Sequence, residues 1–222
     1  MDNTQNKEIV ILFDLDGTLI DSTDAITGCF FHSFKELNFD FKGTKEDIKN
    51  EIGYPLDIMY ANLGVDLEKV WDFVTSYKKE YRKISIAQTT LLPNAVESIK
   101  LASSFARLGI VTTKTTQYTI PLLEHMGIMH YFETIIGRQE VVNPKPHPEP
   151  VLKCLKNMDL KPHKNIFMIG DTKMDLIAAN DAGISSVAVL CGYGKEEQLS
   201  CYTNAICNDS LEAVTHIKIY LN

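Results

Sequence analysis

The 222-residue sequence predicts an α/β protein: a doubly wound parallel sheet, with a helical segment inserted after the first strand. Short apolar runs rich in β-branched residues recur along the chain, and each run stops at Gly, Thr or Asp. Runs of this kind are typical of strands buried on both faces, as in a parallel sheet covered by helices. Stretches with helical spacing of apolar residues alternate with them, which is the element order of a doubly wound sheet.

Five strands and four intervening helices are predicted for this sheet. The strands cover residues 9–13, 108–111, 134–136, 165–169 and 186–190. The helices cover residues 94–104, 118–126, 148–158 and 175–182. Polar and reactive residues follow the strands directly, and such sheets bind ligands outside the carboxyl ends of their strands.

The segment from residue 21 to residue 91 has a different pattern. It shows no clear strand and predicts helices over residues 25–37, 45–52 and 67–84. Because it interrupts the sheet after the first strand, we predict a Rossmann-like core of residues 1–20 and 92–222 and a helical cap of residues 21–91.

Composition excludes several classes of protein. With 45% hydrophobic and 23% charged residues, the chain has ordinary globular usage and is not expected to be disordered. The net charge of −7 disfavours broad nucleic-acid or anionic-membrane binding, and no apolar run approaches the roughly 20 residues of a membrane span. The first ten residues do not resemble a signal peptide, so we expect a cytoplasmic protein.

The cysteines do not form a recognisable motif. There are five, at irregular spacing and with no C-x-x-C pair: Cys29, Cys154, Cys191, Cys201 and Cys207. We therefore expect thiols in a reducing compartment rather than a zinc or redox site.

Two pairs of aspartates follow predicted strands. Asp14 and Asp16 come directly after the first strand, and Asp171 and Asp175 follow the strand over residues 165–169. Each pair could instead have a purely structural role, in capping a turn or the start of a helix. If the two strands are neighbours, however, three or four carboxylates converge, and an oxygen-only cluster of that kind suits Mg²⁺.

Thr112 and Lys145 complete the set of candidate residues. Thr112 ends a third strand, where its hydroxyl and nearby backbone N–H groups can hold a phosphate oxygen. Lys145 lies in a loop stiffened by four prolines, which places its ammonium reproducibly. Taken singly, each residue fits an ordinary strand-end or surface role. Together with the aspartates, they indicate phosphoryl transfer.

At this point the sequence resembles the haloacid dehalogenase superfamily. Four dispersed motifs occur in the right order: residues 14–19 (DLDGTL), Thr112, Lys145-Pro146, and residues 170–172 (GDT) with Asp175. The similarity is greatest to phosphoglycolate phosphatase-like members, which carry a helical cap after the first motif.

The resemblance implies a role for each motif residue. Asp14 is the expected nucleophile, and Asp16 the acid and base whose backbone carbonyl also contacts Mg²⁺. Thr112 and the amide of Thr113 are expected to bind the phosphoryl group. The remaining expected roles are charge neutralisation by Lys145, Mg²⁺ ligation by Asp14 and Asp171, and support of the site by Asp175.

One chemical requirement separates the two aspartates of the first motif. Asp14 attacks only as a carboxylate, whereas Asp16 has to carry a proton in the first step. We therefore expect the surroundings of Asp16 to favour its protonated form more than those of Asp14 do.

The expected function is Mg²⁺-dependent hydrolysis of a small phosphomonoester through an aspartyl-phosphate. Phosphoglycolate is the first candidate substrate, followed by pyrophosphate or a nucleoside monophosphate. Asp16 argues against a dehalogenase, which needs no acid for a halide. The alternatives are a β-phosphoglucomutase-like phosphosugar mutase and a non-catalytic binding module. Thr113 stands where phosphoglycolate phosphatases commonly have Asn, so the sequence departs from their pattern at this position.

Substrate choice is expected to depend on the cap. Tyr54, in a Gly-Tyr-Pro loop, is a candidate substrate contact, although a simple turn between helices is an equal alternative. Arg82 is a candidate for binding a carboxylate or a second phosphate, or else a surface charge. The expected partner is a small phosphorylated metabolite, and we expect the protein to bind neither nucleic acid nor membranes. We expect it to be a monomer or a homodimer.

Overall fold

A computed structural model describes residues 8–221 of the chain. Its main sheet has six parallel strands in the order β5-β4-β1-β6-β7-β8. These strands are β1 (Val10–Phe13), β4 (Arg107–Val111), β5 (Thr134–Ile136), β6 (Ile166–Gly170), β7 (Ser185–Val189) and β8 (Ile206–Cys207). The parallel α/β sheet predicted from the sequence is confirmed.

The sheet is buried on both faces because helices cover both. The helices that follow the insert are α5 (Ala95–Ser103), α6 (Thr116–His125), α7 (Glu149–Asn157), α8 (Lys173–Asp181), α9 (Glu196–Leu199) and α10 (Ser210–Tyr220). Alternate residues of β1 enter opposite clusters: Ile11 and Phe13 pack with α5, α6 and α10, whereas Val10 and Leu12 pack with α7 and α8. This period of two explains why the first strand is a continuous apolar run.

The strand order brings distant parts of the sequence to one edge. β1 lies between β4 and β6, with Phe13 in register with Ile110 and Ile169. The residues that follow these three strands therefore leave the sheet side by side, at its carboxyl edge.

Four helices lie between β1 and β4 in the chain. They are α1 (Thr23–Glu36), α2 (Lys45–Lys49), α3 (Leu56–Asn62) and α4 (Val70–Ile84), and we refer to residues 22–89 as the helical insert. Phe30 is fully buried at its centre, with its ring 4.4 Å from that of Tyr60 and 5.3 Å from that of Tyr77. Tyr118 and Tyr193, from the sheet side, also pack in this cluster, so it continues to the carboxyl edge.

Several short elements were not expected from the sequence. β2 (Ile20–Asp21) and β3 (Thr90–Leu91) form an antiparallel ribbon where the chain enters and leaves the helical insert. These strands, β8 and α3 are too short to show a clear period. Helix α8 begins two residues before the predicted start because Thr172 and Asp175 form its capping box.

Two predictions extend beyond the described residues. The absence of a signal peptide and the outer ends of the predicted core involve residues 1–7 and residue 222, which lie outside them. Within residues 8–221, the helices are too short or too polar for any of them to span a bilayer.

The aromatic cluster of the helical insert makes a testable contribution to stability. Phe30→Ala should lower the free energy of unfolding by about 3–5 kcal/mol, because it leaves a cavity among three packed rings. Urea denaturation followed by circular dichroism measures this. The neighbouring Phe31 is 43% exposed, so Phe31→Ala should cost about 1 kcal/mol or less. Equal losses for the two variants would contradict the packing described here.

Candidate active site

A buried ion pair lies at the carboxyl edge of the sheet. Asp14 follows β1 and is 6% exposed, and Lys145, in the loop before α7, is 3% exposed. The Lys145 ammonium donates to Asp14 Oδ1 at 2.7 Å. The alternative that Lys145 is a solvated loop lysine is therefore wrong.

Lys145 is held by two further acceptors. Its ammonium donates to the Val111 carbonyl oxygen at 2.9 Å and to Asp175 Oδ1. Burial lowers the pKa of Lys145, but Asp14 and Asp175 outweigh it, so that the pKa lies above its usual value. The lysine is thus a fixed cation with all three protons directed at oxygen atoms.

Asp175 serves both the helix and the lysine. Its Oδ2 accepts from the Thr172 N–H at 3.0 Å and from the Thr172 hydroxyl at 2.7 Å, which caps α8. Its Oδ1 faces Lys145. The carboxylate therefore positions the lysine from a rigid helix start.

Asp171 is held on the other side of Asp14. Its Oδ1 accepts from the Thr18 hydroxyl at 2.9 Å, and its Oδ2 accepts from the Tyr193 N–H at 2.8 Å. A Cβ atom on Gly17, which has φ +85°, or on Gly192 would collide with the Asp171 carboxylate. The glycines are therefore needed for backbone to approach this side chain closely.

Three carboxylates meet at this point. Asp14, Asp171 and Asp175 each offer an oxygen atom within 4.8 Å of the others, and all three are buried. Burial raises the pKa of Asp14 to about 7 despite the opposing effect of Lys145. Burial, Asp14 and Asp175 raise the pKa of Asp171 well above its usual value. One ammonium does not balance this charge, so a cation could be held here by these carboxylate oxygens.

Asp16 lies apart from the triad and faces a different lysine. Its Oδ1 accepts from the Ser22 hydroxyl, and its Oδ2 lies 3.1 Å from the Lys114 ammonium. Lys114 also donates to the Tyr81 hydroxyl at 2.7 Å. The structure thus places an ammonium beside Asp16, and the expected protonation of Asp16 in the first step stays a prediction.

Thr112 and Thr113 follow β4 directly. Thr112 is 4% exposed and its hydroxyl accepts from the Lys114 N–H at 3.1 Å, while Thr113 lines the cavity described next. Both stand at the same edge as Asp14. Their expected contacts with a phosphoryl group stay predictions.

A cavity of about 240 Å³ opens over Asp14 and Asp16, between the sheet edge and the helical insert. Tyr54 lines it, and a Cβ atom on Gly53 would lie 3.1 Å from Thr172 Cγ2, so this loop reaches the sheet side. Arg82 does not line it. Its exposed guanidinium lies 6.0 Å from the centre of the Tyr118 ring, because Tyr81 takes the inward-facing position of α4.

Sequence reasoning assigned no site role to Ser22, Lys114 or the backbone N–H of Tyr193. Lys114 carries a usable signal, since it lies three residues beyond a strand that ends at the site. Ser22 looks like an ordinary residue before a helix. The Tyr193 amide shows no signal in sequence, because its role comes from the backbone.

Comparison with known proteins agrees with this architecture. A sequence profile of the haloacid dehalogenase-like hydrolase family matches residues 11–189. A phosphoglycolate phosphatase from Salmonella typhimurium is 30% identical, over 95% of this chain and 92% of the relative. A pyrophosphatase, PpaX, from Oceanobacillus iheyensis is 33% identical, over 81% of this chain and 82% of the relative.

A solved structure shows the same fold. The hydrolase of the haloacid dehalogenase-like family from Streptococcus pneumoniae superposes with a TM-score of 0.85 at 29% identity, covering 96% of this chain and 99% of that one. The resemblance inferred from the four motifs is thus confirmed: the chain belongs to the haloacid dehalogenase-like hydrolases, in the branch similar to phosphoglycolate phosphatases.

Proposed function

We propose that this protein is a Mg²⁺-dependent phosphatase that hydrolyses a small phosphomonoester through an aspartyl-phosphate on Asp14. The observation that carries the proposal is the Asp14 carboxylate, fixed by Lys145 at 2.7 Å, clustered with Asp171 and facing a cavity. The names of the phosphatase relatives support it.

The charges of the site support a divalent cation. Asp14 and Asp171 are oxygen donors whose pKa values are raised by burial and by neighbouring carboxylates, and hard carboxylate oxygens are the ligands that Mg²⁺ prefers. We propose that Asp14, Asp171 and the backbone carbonyl of Asp16 hold it. Once bound, the ion keeps Asp14 ionised and neutralises charge on the phosphoryl oxygens.

Asp14 then acts as the nucleophile. One carboxylate oxygen attacks phosphorus and forms a P–O bond, while the bond from phosphorus to the leaving oxygen breaks. Lys145 opposes the negative charge on Asp14 and the phosphoryl group, and Thr112 and Thr113 bind the equatorial oxygens. Asp175 keeps Lys145 in place.

Asp16 handles the proton. It gives a proton to the leaving alcohol and later takes one from the water that attacks the aspartyl-phosphate, which releases inorganic phosphate and restores Asp14. We propose that Asp16 carries this proton when the substrate is bound.

The helical insert is proposed to act as a cap. The division into a core of residues 1–20 and 92–222 and a cap of residues 21–91 is supported by the separate aromatic cluster of the insert. Gly53 approaches Thr172 closely, and Lys114 donates a hydrogen bond to Tyr81. We propose that these two links between cap and core exclude water from the reacting groups. Tyr54 is the proposed substrate contact on the cap loop.

The resemblance places phosphoglycolate first among candidate substrates, before pyrophosphate and nucleoside monophosphates. The proposed setting is the cytoplasm, with the protein as a monomer or homodimer. Product analysis separates hydrolysis from a phosphosugar mutase, since only a hydrolase accumulates inorganic phosphate.

Replacement of the nucleophile tests the mechanism. Asp14→Asn should lower phosphate release from p-nitrophenyl phosphate with Mg²⁺ by at least about a thousandfold, because an amide oxygen is a poor nucleophile. Release is measured with a molybdate assay, and EDTA should abolish it in the wild type. Asp24→Asn, at an exposed site on α1, is the matched control and should retain full activity. Unchanged release by Asp14→Asn would refute the assignment.

The carboxylate cluster predicts an unusual pH dependence without metal. The pKa values of Asp14 and Asp171 are raised in the folded state, so the stability that their protonated forms confer is lost as pH rises from about 4 through 7. In EDTA, the melting temperature should fall by about 10 °C between pH 5 and pH 8. Scanning calorimetry measures this, and both Mg²⁺ and Asp14→Asn should reduce the fall. A flat or rising profile in EDTA would contradict the cluster's charge imbalance.

A further inference from the structure

The wall that the helical insert contributes to the cavity is apolar. It is formed largely by six side chains: Ile26, Ile52, Met59, Trp71, Val74 and Tyr77. All except Trp71 are buried, whereas the polar lining lies mainly on the sheet side, at Asp14, Asp16 and Thr113. The cavity thus has a polar floor for a phosphoryl group and an apolar wall for what is attached to it.

The apolar wall is longer than a small leaving group. Tyr81, Tyr77, Val74 and Trp71 follow one another along one side of α4 and all line the cavity. Tyr81 contacts Lys114 beside Asp16, and Trp71, which is 62% exposed, lies at the other end. Ten residues of helix between Tyr81 and Trp71 span about 15 Å. Glycolate, with two carbon atoms, would contact only the inner part of this wall.

The cations on the cavity lining do not favour a short carboxylate. Lys114 is the one next to Asp16, and its charge is already met by Asp16 Oδ2 at 3.1 Å, with the Tyr81 hydroxyl as a further partner. Arg138 donates to the Val141 carbonyl oxygen at 3.2 Å. Lys78, half-buried on α4, lies one helical turn from Tyr81 on the way to Trp71, so it is not the cation beside Asp16. A carboxylate one carbon away from the phosphate oxygen would therefore meet a cation that is already paired.

Two buried hydroxyls beside the wall lack a partner. Tyr118 Oη and Thr115 Oγ1 make no hydrogen bond within residues 8–221, and both residues line the cavity. Tyr118 is 9% exposed. Because a buried hydroxyl without a hydrogen-bond partner destabilises a protein, these two groups are suited to bonding a polar atom of a bound molecule.

We propose that the natural leaving group is an elongated alcohol with an apolar body and a polar atom along its length, rather than a short hydroxy acid such as glycolate. This inference rests on the proposed phosphatase function and names its substrate class. The phosphoryl group sits over Asp14, the apolar body lies along α4, and the polar atom bonds with Tyr118 and Thr115. This substrate class differs from phosphoglycolate, because the four motifs that carry the resemblance lie at the sheet edge whereas this wall belongs to the helical insert.

A homologous series of esters tests the inference. Ethyl, butyl and hexyl phosphate have nearly the same leaving-group chemistry and differ in apolar length. With Mg²⁺, kcat/KM should rise about threefold to fourfold per methylene that enters the cavity, and so by on the order of a hundredfold from ethyl to hexyl. Phosphoglycolate should react more slowly than hexyl phosphate.

Two substitutions locate the effect on α4. Trp71→Ala shortens the outer end of the wall and should reduce the ratio of hexyl to ethyl turnover by about fivefold. Leu67→Ala removes a 78% exposed side chain near the start of the same helix and should leave that ratio unchanged. Calorimetric titration with ethylphosphonate and hexylphosphonate should show the same order in binding.

The outcomes separate this inference from the function on which it rests. No hydrolysis of any ester, including p-nitrophenyl phosphate, would refute the phosphatase and the inference together. Hydrolysis of p-nitrophenyl phosphate without an effect of chain length would overturn the inference alone. So would a preference for phosphoglycolate that is lost in Lys78→Met, because it would show recognition of a carboxylate.

Discussion

The buried ammonium of Lys145 is the contact on which the rest of the site depends. It joins Asp14 after β1, the Val111 carbonyl at the end of β4 and Asp175 on α8, so that three separate elements are held around one charge. Removing one partner of such a group leaves an uncompensated buried charge, which typically costs about 3–5 kcal/mol. The same contact therefore fixes Asp14, the proposed nucleophile, and stabilises the sheet edge that carries it.

The charge that Lys145 leaves unbalanced is what makes the site suited to a metal. Asp171 adds a third buried carboxylate, and Gly17 and Gly192 let backbone approach it so closely that Thr18 and Tyr193 can bond to it. These contacts hold the carboxylate in one orientation, while burial and the neighbouring Asp14 and Asp175 keep its pKa raised. A folded but electrostatically incomplete cluster is preorganised for a divalent cation.

The sheet and the helical insert divide the chemistry between them. Residues at the strand ends provide charged groups at fixed positions, which suits a phosphoryl group whatever it is attached to. The insert provides an apolar wall, and Tyr81 links the two parts through Lys114 to Asp16. Substitutions in the helical insert can therefore alter substrate preference without moving the carboxylates, because the two groups of residues belong to different parts of the fold.

The sequence by itself determined the parallel sheet, most of its helices and the motif residues at the strand ends, because buried strands and long helices leave a clear apolar period. Asp14, Lys145 and Asp171 could be named from their positions in this pattern. Only the tertiary structure decided that Lys145 is buried, that Lys114 and Ser22 hold Asp16, and that Arg82 does not line the cavity. Lys145 and Asp14, for example, are 131 residues apart in the chain, and local periodicity contains no information about which side chains meet in the folded protein.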